Sequence, residues 1–162
     1  WWENAMHNQT AVRMRQALLG IPGVVITTVP WKLGEDDELT RDCFGLFCSL
    51  MRLSYNDKHL ELVSWAEDAA QLSREQQRAF LRDASRLLRE SYMLHAGINE
   101  VCYLWGEELA FCTKFAPFIG SQNIEPLIGE IESALAQISQ NGNPTIVFTH
   151  FALAVSKMIK HL

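Results

Sequence analysis

The side chains able to act as nucleophiles or metal ligands are four cysteines (Cys43, Cys48, Cys102, Cys112) and five histidines (His7, His59, His95, His150, His161). A metal site on helices needs ligands that converge on one face, commonly three or four residues apart. No histidine stands at that distance from a cysteine or another histidine, and HExxH, HxxxH and CxxC are all missing from the sequence. No metal and no cofactor is therefore expected. His95 precedes Cys102 by seven residues, and an imidazole beside a thiol would lower its pKa and create a nucleophile. A half-buried histidine bonded to backbone explains the same residue without reactivity, and it is the preferred reading. Glu107 with Glu108, and Glu130 with Glu132, are pairs in sequence that diverge on a helix, so neither makes an acid and base couple. Neither GxxxxGK[ST] nor GxGxxG occurs, so no phosphate-cradling loop can be named. No catalytic residue is assigned, and this stretch of chain is read as not an enzyme.

One charged feature has geometry. Arg78, Arg82, Arg86 and Arg89 follow one another at steps of four, four and three, which lines them along one side of a helix. They could dock an acidic partner or a phosphate backbone. A solvated face softened by Glu75, Asp83 and Glu90, with Arg86 and Glu90 at i,i+4, accounts for most of the same pattern. The four arginines are kept as candidate partner-binding residues.

The element that must position them runs from Ser73 to Ile98. At 100° per residue Phe80, Ala84, Leu87, Leu88, Ser91, Leu94 and Ile98 share the face opposite the arginines. Ser73 and Gln76 form a capping-box signature, and Gly97 marks the end. The other segments read as helices too. They are 40–53; 57–70, capped by Asn56, with Leu60, Val63 and Ala66 as its inner edge; a short segment over 100–113 broken at Gly106; 124–140, capped by Asn123; and a last helix from Pro144, capped by Asn143. The two or three residues before Ser73 predict antiparallel packing of the second helix on the long one. Trp65 is expected in the core, and Phe111, Phe115 and Phe118 are expected to anchor it. Residues 4–19 suggest a weak helix, and IPGVVITTVP, between Gly20 and Trp31, an extended connector. The expectation is an all-α fold: a bundle of about five helices over 39–162, preceded by a short helix and connector within 1–38.

Bulk composition agrees. The chain has 162 residues, 48% hydrophobic and 20% charged, enough to build a core without disulfide or metal staples. The net charge of -5 argues against general nucleic-acid binding. The cysteines lie in apolar helical stretches, which suits buried thiols. No apolar run approaches the roughly 20 residues of a membrane span. Trp1 in place of Met suggests a piece of a longer polypeptide.

Several segments, in order, resemble the carboxy-terminal region of the delta-prime-type subunit of the bacterial DNA polymerase III clamp loader. They are MRL followed by the polar turn Ser54 to Lys58, LVSWAED at 62–68, LSREQQRAFL at 72–81, RLLRESYML at 86–94, FCTKFAPFIGSQNI at 111–124 and IVFTHFAL at 146–153. The likeness covers about residues 39 to 160. It implies a helical collar domain with a structural role, holding loader subunits together for sliding-clamp loading in DNA replication. Its partners would be the other loader subunits, its location cytoplasmic, with no membrane and no direct nucleic-acid contact. The family's ATP-binding and arginine-finger motifs belong to an amino-terminal module, so none is carried onto residues here. The alternative is a helical nucleic-acid- or protein-binding module that uses the arginine stripe.

Overall fold

The computed structural model describes residues 35–98 and 102–160, with their side chains from 43 to 98 and 102 to 159. The expected weak helix over 4–19 and the extended connector after it lie outside the described residues. Among the described residues the fold is all-helical, as the periodicity requires. Six α-helices follow one another among these residues: α1 (Glu35–Tyr55), α2 (His59–Ala70), α3 (Arg74–His95), α4 (Gly106–Phe115), α5 (Ile124–Ser139) and α6 (Pro144–Lys160). A 3-10 turn, Ala116–Phe118, joins α4 to the segment before α5.

The first helix begins earlier than the apolar pattern suggests. Its first turn is the acidic run EDDE, which complements the positive end of the helix dipole and supports a start ahead of the first apolar residue. The segment before Gly106 is the opposite case. Residues 102–105 are not helical, and Gly106, at φ +57°, opens α4 in a conformation that other residues rarely adopt.

Three helices end in the same way. In each, the second residue past the helix takes a positive φ and the two N–H groups there fold back onto the last turn, a Schellman motif. At the end of α1 the positive-φ residue is Asp57, with Lys58 N–H on Leu53 O at 3.1 Å. At the end of α3 it is Gly97, with Ile98 N–H on Met93 O at 3.0 Å. At the end of α5 it is Asn141, with Gly142 N–H on Gln137 O at 2.8 Å. Two expectations fall for this reason. Asn56 does not cap α2; its amide donates back to Arg52 O at 2.8 Å, within the exit of α1. Ile98 is not on the buried face of α3; it sits in the closing motif and is 47% exposed.

The helix starts are mixed. Ser73 and Gln76 form the reciprocal capping box, with Gln76 N–H on Ser73 Oγ at 3.2 Å and Ser73 N–H on Gln76 Oε1 at 2.9 Å. Asn143 Oδ1 accepts from Thr145 and Ile146 N–H ahead of α6. Asn123 does not cap α5. It is buried and tightens the preceding turn, accepting from Gly120 N–H at 2.9 Å and donating to Phe118 O at 2.9 Å.

The core brings α6 against α1, α2 and α5, while α3 packs on α1, α4 and α5. The expected antiparallel packing of α2 along α3 does not occur. The buried set of α2 is Leu62, Trp65, Ala66 and Ala69, whose two alanines allow close approach of α6. Leu60 and Val63 therefore face outward, Leu60 at 86% exposure, and the expected inner edge is rotated. Trp65 spans the gap to α3 with its ring: it lies 5.7 Å from Phe80 and 6.1 Å from Phe148, which themselves meet at 6.1 Å. Such ring clusters combine large apolar burial with favourable edge geometry. The indole N–H donates to Leu46 O at 3.0 Å, so burying Trp65 leaves no polar atom without a partner.

Candidate docking groove

Helix α3 carries the arginine stripe, and its buried side fixes how the stripe faces. Gln77, Phe80, Leu81, Ala84, Leu87, Leu88 and Ser91 are buried. Gln77 is a polar member of that set that the hydropathy pattern did not reveal. Its Nε2 donates to Ala70 O at 3.1 Å and Leu72 O at 2.8 Å, closing the carbonyl end of α2 and registering α3 against it.

The four candidate arginines are not equivalent. Arg86 is half-buried and forms a two-pronged pair with Glu108 of α4, Nη1 to Oε2 at 3.1 Å and Nη2 to Oε1 at 2.8 Å. It also holds Asp83 Oδ1 at 2.8 Å through Nε. Burial works against its charge, and the hydrogen bonds to Glu108 and Asp83 outweigh it, so the guanidinium stays protonated well above its ordinary value. Burial likewise pushes the Asp83 carboxyl up, opposed by the charge of Arg86. Arg86 is thus a structural clamp between α3 and α4, not a member of a docking strip. The expected Arg86 to Glu90 pair is replaced as well: Glu90 accepts from Tyr103 N–H at 3.2 Å and pins the segment that returns to α4.

Arg78 and Arg82 remain, one half-buried and one exposed, in a shallow open groove of about 790 Å³. Ser73, Glu75, Gln76 and Ala79 of the same region complete its α3 wall, and Ser139 closes it from the end of α5. Arg89 is exposed outside the groove. Among the described residues, Arg78 and Arg82 form no ion pair. Arg74, which is not part of the lining, ties the start of α3 to the end of α5: its Nη1 donates to Ile138 O at 3.1 Å and Gly142 O at 2.9 Å. A cation on these carbonyls also suits the negative end of α5. Arg74 was not among the candidates, because its partners are 64 and 68 residues away and nothing local signals them.

The Cys102 and His95 couple does not form. Burial raises the Cys102 thiol pKa; the Leu104 N–H opposes this, and a hydrogen bond to the Glu90 carboxylate adds to it. A thiol whose neighbour is an anion is a poor nucleophile. Cys48 and Cys112 are buried, and both are pushed up to about 11, mainly by burial. No disulfide links the four cysteines. Glu107 and Glu108 diverge as expected, the second toward Arg86; Glu130 lies 3.6 Å from His150 of α6. No cluster of three or more metal-ligating side chains occurs among the described residues. No helix among them is long and apolar enough to cross a membrane.

Comparison with known proteins bears on a different part of the chain. No curated protein matches it, and no solved structure does. The family model that matches is the KimA potassium transporter C-terminal domain, on residues 1–31 of the 162. This finding overturns the clamp-loader resemblance, which no comparison supports. The collar role in DNA replication, the loader subunits as partners, the exclusion of a membrane and the cytoplasmic location go with it. The match ends before the first described helix, and the similarity it reports is to a potassium transporter's C-terminal domain over residues 1–31.

Proposed function

We propose that this chain is a non-catalytic binding module with a transport-related role, and that its helical bundle holds an acidic segment of a protein partner on Arg78 and Arg82. The observation that carries the reading is the groove itself: two arginines one helical turn apart in an open channel, neither in an ion pair among the described residues. Of the other arginines of the same helix, Arg74 and Arg86 are engaged internally and Arg89 lies outside the groove, which leaves Arg78 and Arg82 to meet a ligand there. A protein carboxylate suits the site better than a polyphosphate backbone, since Glu75 lines the same wall and the chain carries a net charge of -5. The transport-related half rests on the match of residues 1–31 to the C-terminal domain of a potassium transporter family.

Two experiments test the two halves. A fluorescein-labelled glutamate-rich decapeptide, titrated with the whole chain, should bind with an affinity that falls as salt rises. Arg78→Glu with Arg82→Glu should abolish that binding while Arg89→Glu leaves it intact; equal loss in all variants, or tighter binding of labelled duplex DNA, would refute the acidic-peptide reading. For transport, the chain is expressed in cells deficient in potassium uptake. Growth at limiting potassium that is identical with and without it would remove the transport-related role.

A further inference from the structure

A second surface, sharing no lining residue with the arginine groove, lies between α1 and α4. The backbones of these helices hardly approach each other, and aromatic rings bridge the space. Phe111 of α4 meets Phe44 at 6.0 Å and Phe47 at 6.2 Å, both from α1, and stacks on Phe115 at 5.8 Å. Phe115 continues to Phe118 at 5.4 Å, and Phe118 to Tyr55 at 4.8 Å. Phe111 and Phe118 are half-buried and Tyr55 is exposed, so the ladder is a core on one side and a surface on the other. Above Phe111 opens a cleft of about 320 Å³ with Ala110, Phe111 and Phe115 as its floor and Arg52, Glu107 and Lys114 at its rim.

We infer that this cleft binds an acidic peptide segment of a partner protein, with an aromatic side chain entering against Phe111 and flanking carboxylates meeting Arg52 and Lys114. The floor is apolar and aromatic, of a size that takes one ring. Arg52 stands with its guanidinium carbon 5.5 Å from the centre of the Phe111 ring, so a cation already lies beside the aromatic floor of the cleft. Among the described residues neither Arg52 nor Lys114 is in an ion pair, and Glu107 is the sole acid among the lining residues. The rim therefore carries two positive charges against one negative, on a chain whose net charge is -5, and an occupant with carboxylates complements it. A nucleic acid fits less well: its evenly spaced phosphates would have to pass Glu107.

The test uses the whole chain, isotope-labelled, and the blocked tripeptide acetyl-Asp-Phe-Glu-amide as probe, followed by nuclear magnetic resonance. The expected result is saturable shifts of the Ala110 methyl and Phe111 ring signals at a Kd of about 1 mM, as for a single anchored side chain. Acetyl-Asn-Phe-Gln-amide and acetyl-Asp-Ala-Glu-amide should each bind about fivefold more weakly. Lys114→Gln and Arg52→Gln, both at exposed positions, should reduce affinity for the acidic probe toward that of the amide probe without altering the far-ultraviolet spectrum. Absence of shifts at Ala110 and Phe111 up to about 10 mM, or equal binding of the amide probe, overturns the proposal. Shifts confined to Arg78 and Arg82 overturn it too, and would leave the arginine groove as the acidic-peptide site.

Discussion

Arg86 of α3 grips Glu108 of α4 with two parallel hydrogen bonds of 3.1 and 2.8 Å, across 22 residues of sequence. This fork geometry is specific to arginine and joins the long helix to the segment that returns beneath it. Removing one partner strands the other where burial already opposes charge. Arg86→Ala should lower stability by about 2 kcal/mol, and Arg86→Lys by more than half of that, because lysine cannot span both oxygens. Arg89→Ala, at an exposed position three residues beyond Arg86 and outside the clamp, should change stability by less than about 0.5 kcal/mol. Urea denaturation of the three variants distinguishes a clamp from a uniform charged face.

Alkaline pH should unfold the protein through its buried thiols. Cys48 and Cys112 have folded pKa values of about 11 against an ordinary 9.0, both raised chiefly by burial. Between these values the folded chain keeps protons that the unfolded chain releases. Their contribution is therefore complete below pH 9.0 and is lost as pH rises toward about 11. The fall in Tm across that window should be shallower in Cys48→Ala with Cys112→Ala than in the parent, whatever the two start from at pH 7. Parallel curves would contradict it.

The exit of α5 offers a prediction about backbone alone. Asn141 adopts φ +62° without being glycine, and Gly142 packs where a Cβ would stand 2.8 Å from Gln137 O. Asn141→Gly should be neutral or stabilise by about 0.5 kcal/mol, since glycine reaches positive φ at no steric cost. Gly142→Ala should cost about 1–2 kcal/mol by pushing apart the turn that Arg74 also holds. Thermal unfolding of both variants checks the opposite signs.

Cys102 should alkylate slowly for a half-exposed thiol. Beside burial, the Glu90 carboxylate holds its pKa up by accepting the thiol proton in a hydrogen bond. Glu90→Gln removes the negative charge and should speed the reaction with iodoacetamide at pH 7.5 by a few-fold, with Cys43, Cys48 and Cys112 still protected by burial. Unchanged kinetics would mean that Glu90 does not control the thiol.

Much of the fold was legible because local rules and tertiary packing agree in it. The capping box at Ser73, the exit at Gly97, the Asn143 and Pro144 start of α6 and the 3.6-residue periodicity of α3 are all short-range chemistry. The errors have one origin. Asn56 and Asn123 are residues with several local uses, and the chain put them in a helix exit and a tight turn in place of the caps their type suggests. Leu60 and Val63 satisfied an apolar pattern that Trp65, with its long reach to Phe80 and Phe148, overrode by turning α2 about its axis.

The candidate site was legible as a row of arginines but not as a site. Residue type and spacing by themselves determined that α3 would form, where it would begin, and that Arg78, Arg82, Arg86 and Arg89 would stand on its polar side. Only the tertiary structure decided that Arg86 is spent on Glu108, that Arg74 is spent on the carbonyls ending α5, and that Arg78 and Arg82 open into a groove. The reason is distance along the chain: a helix face is set by neighbours three and four residues apart, whereas the partner of a charge is whatever the packing of distant helices brings within 3 Å.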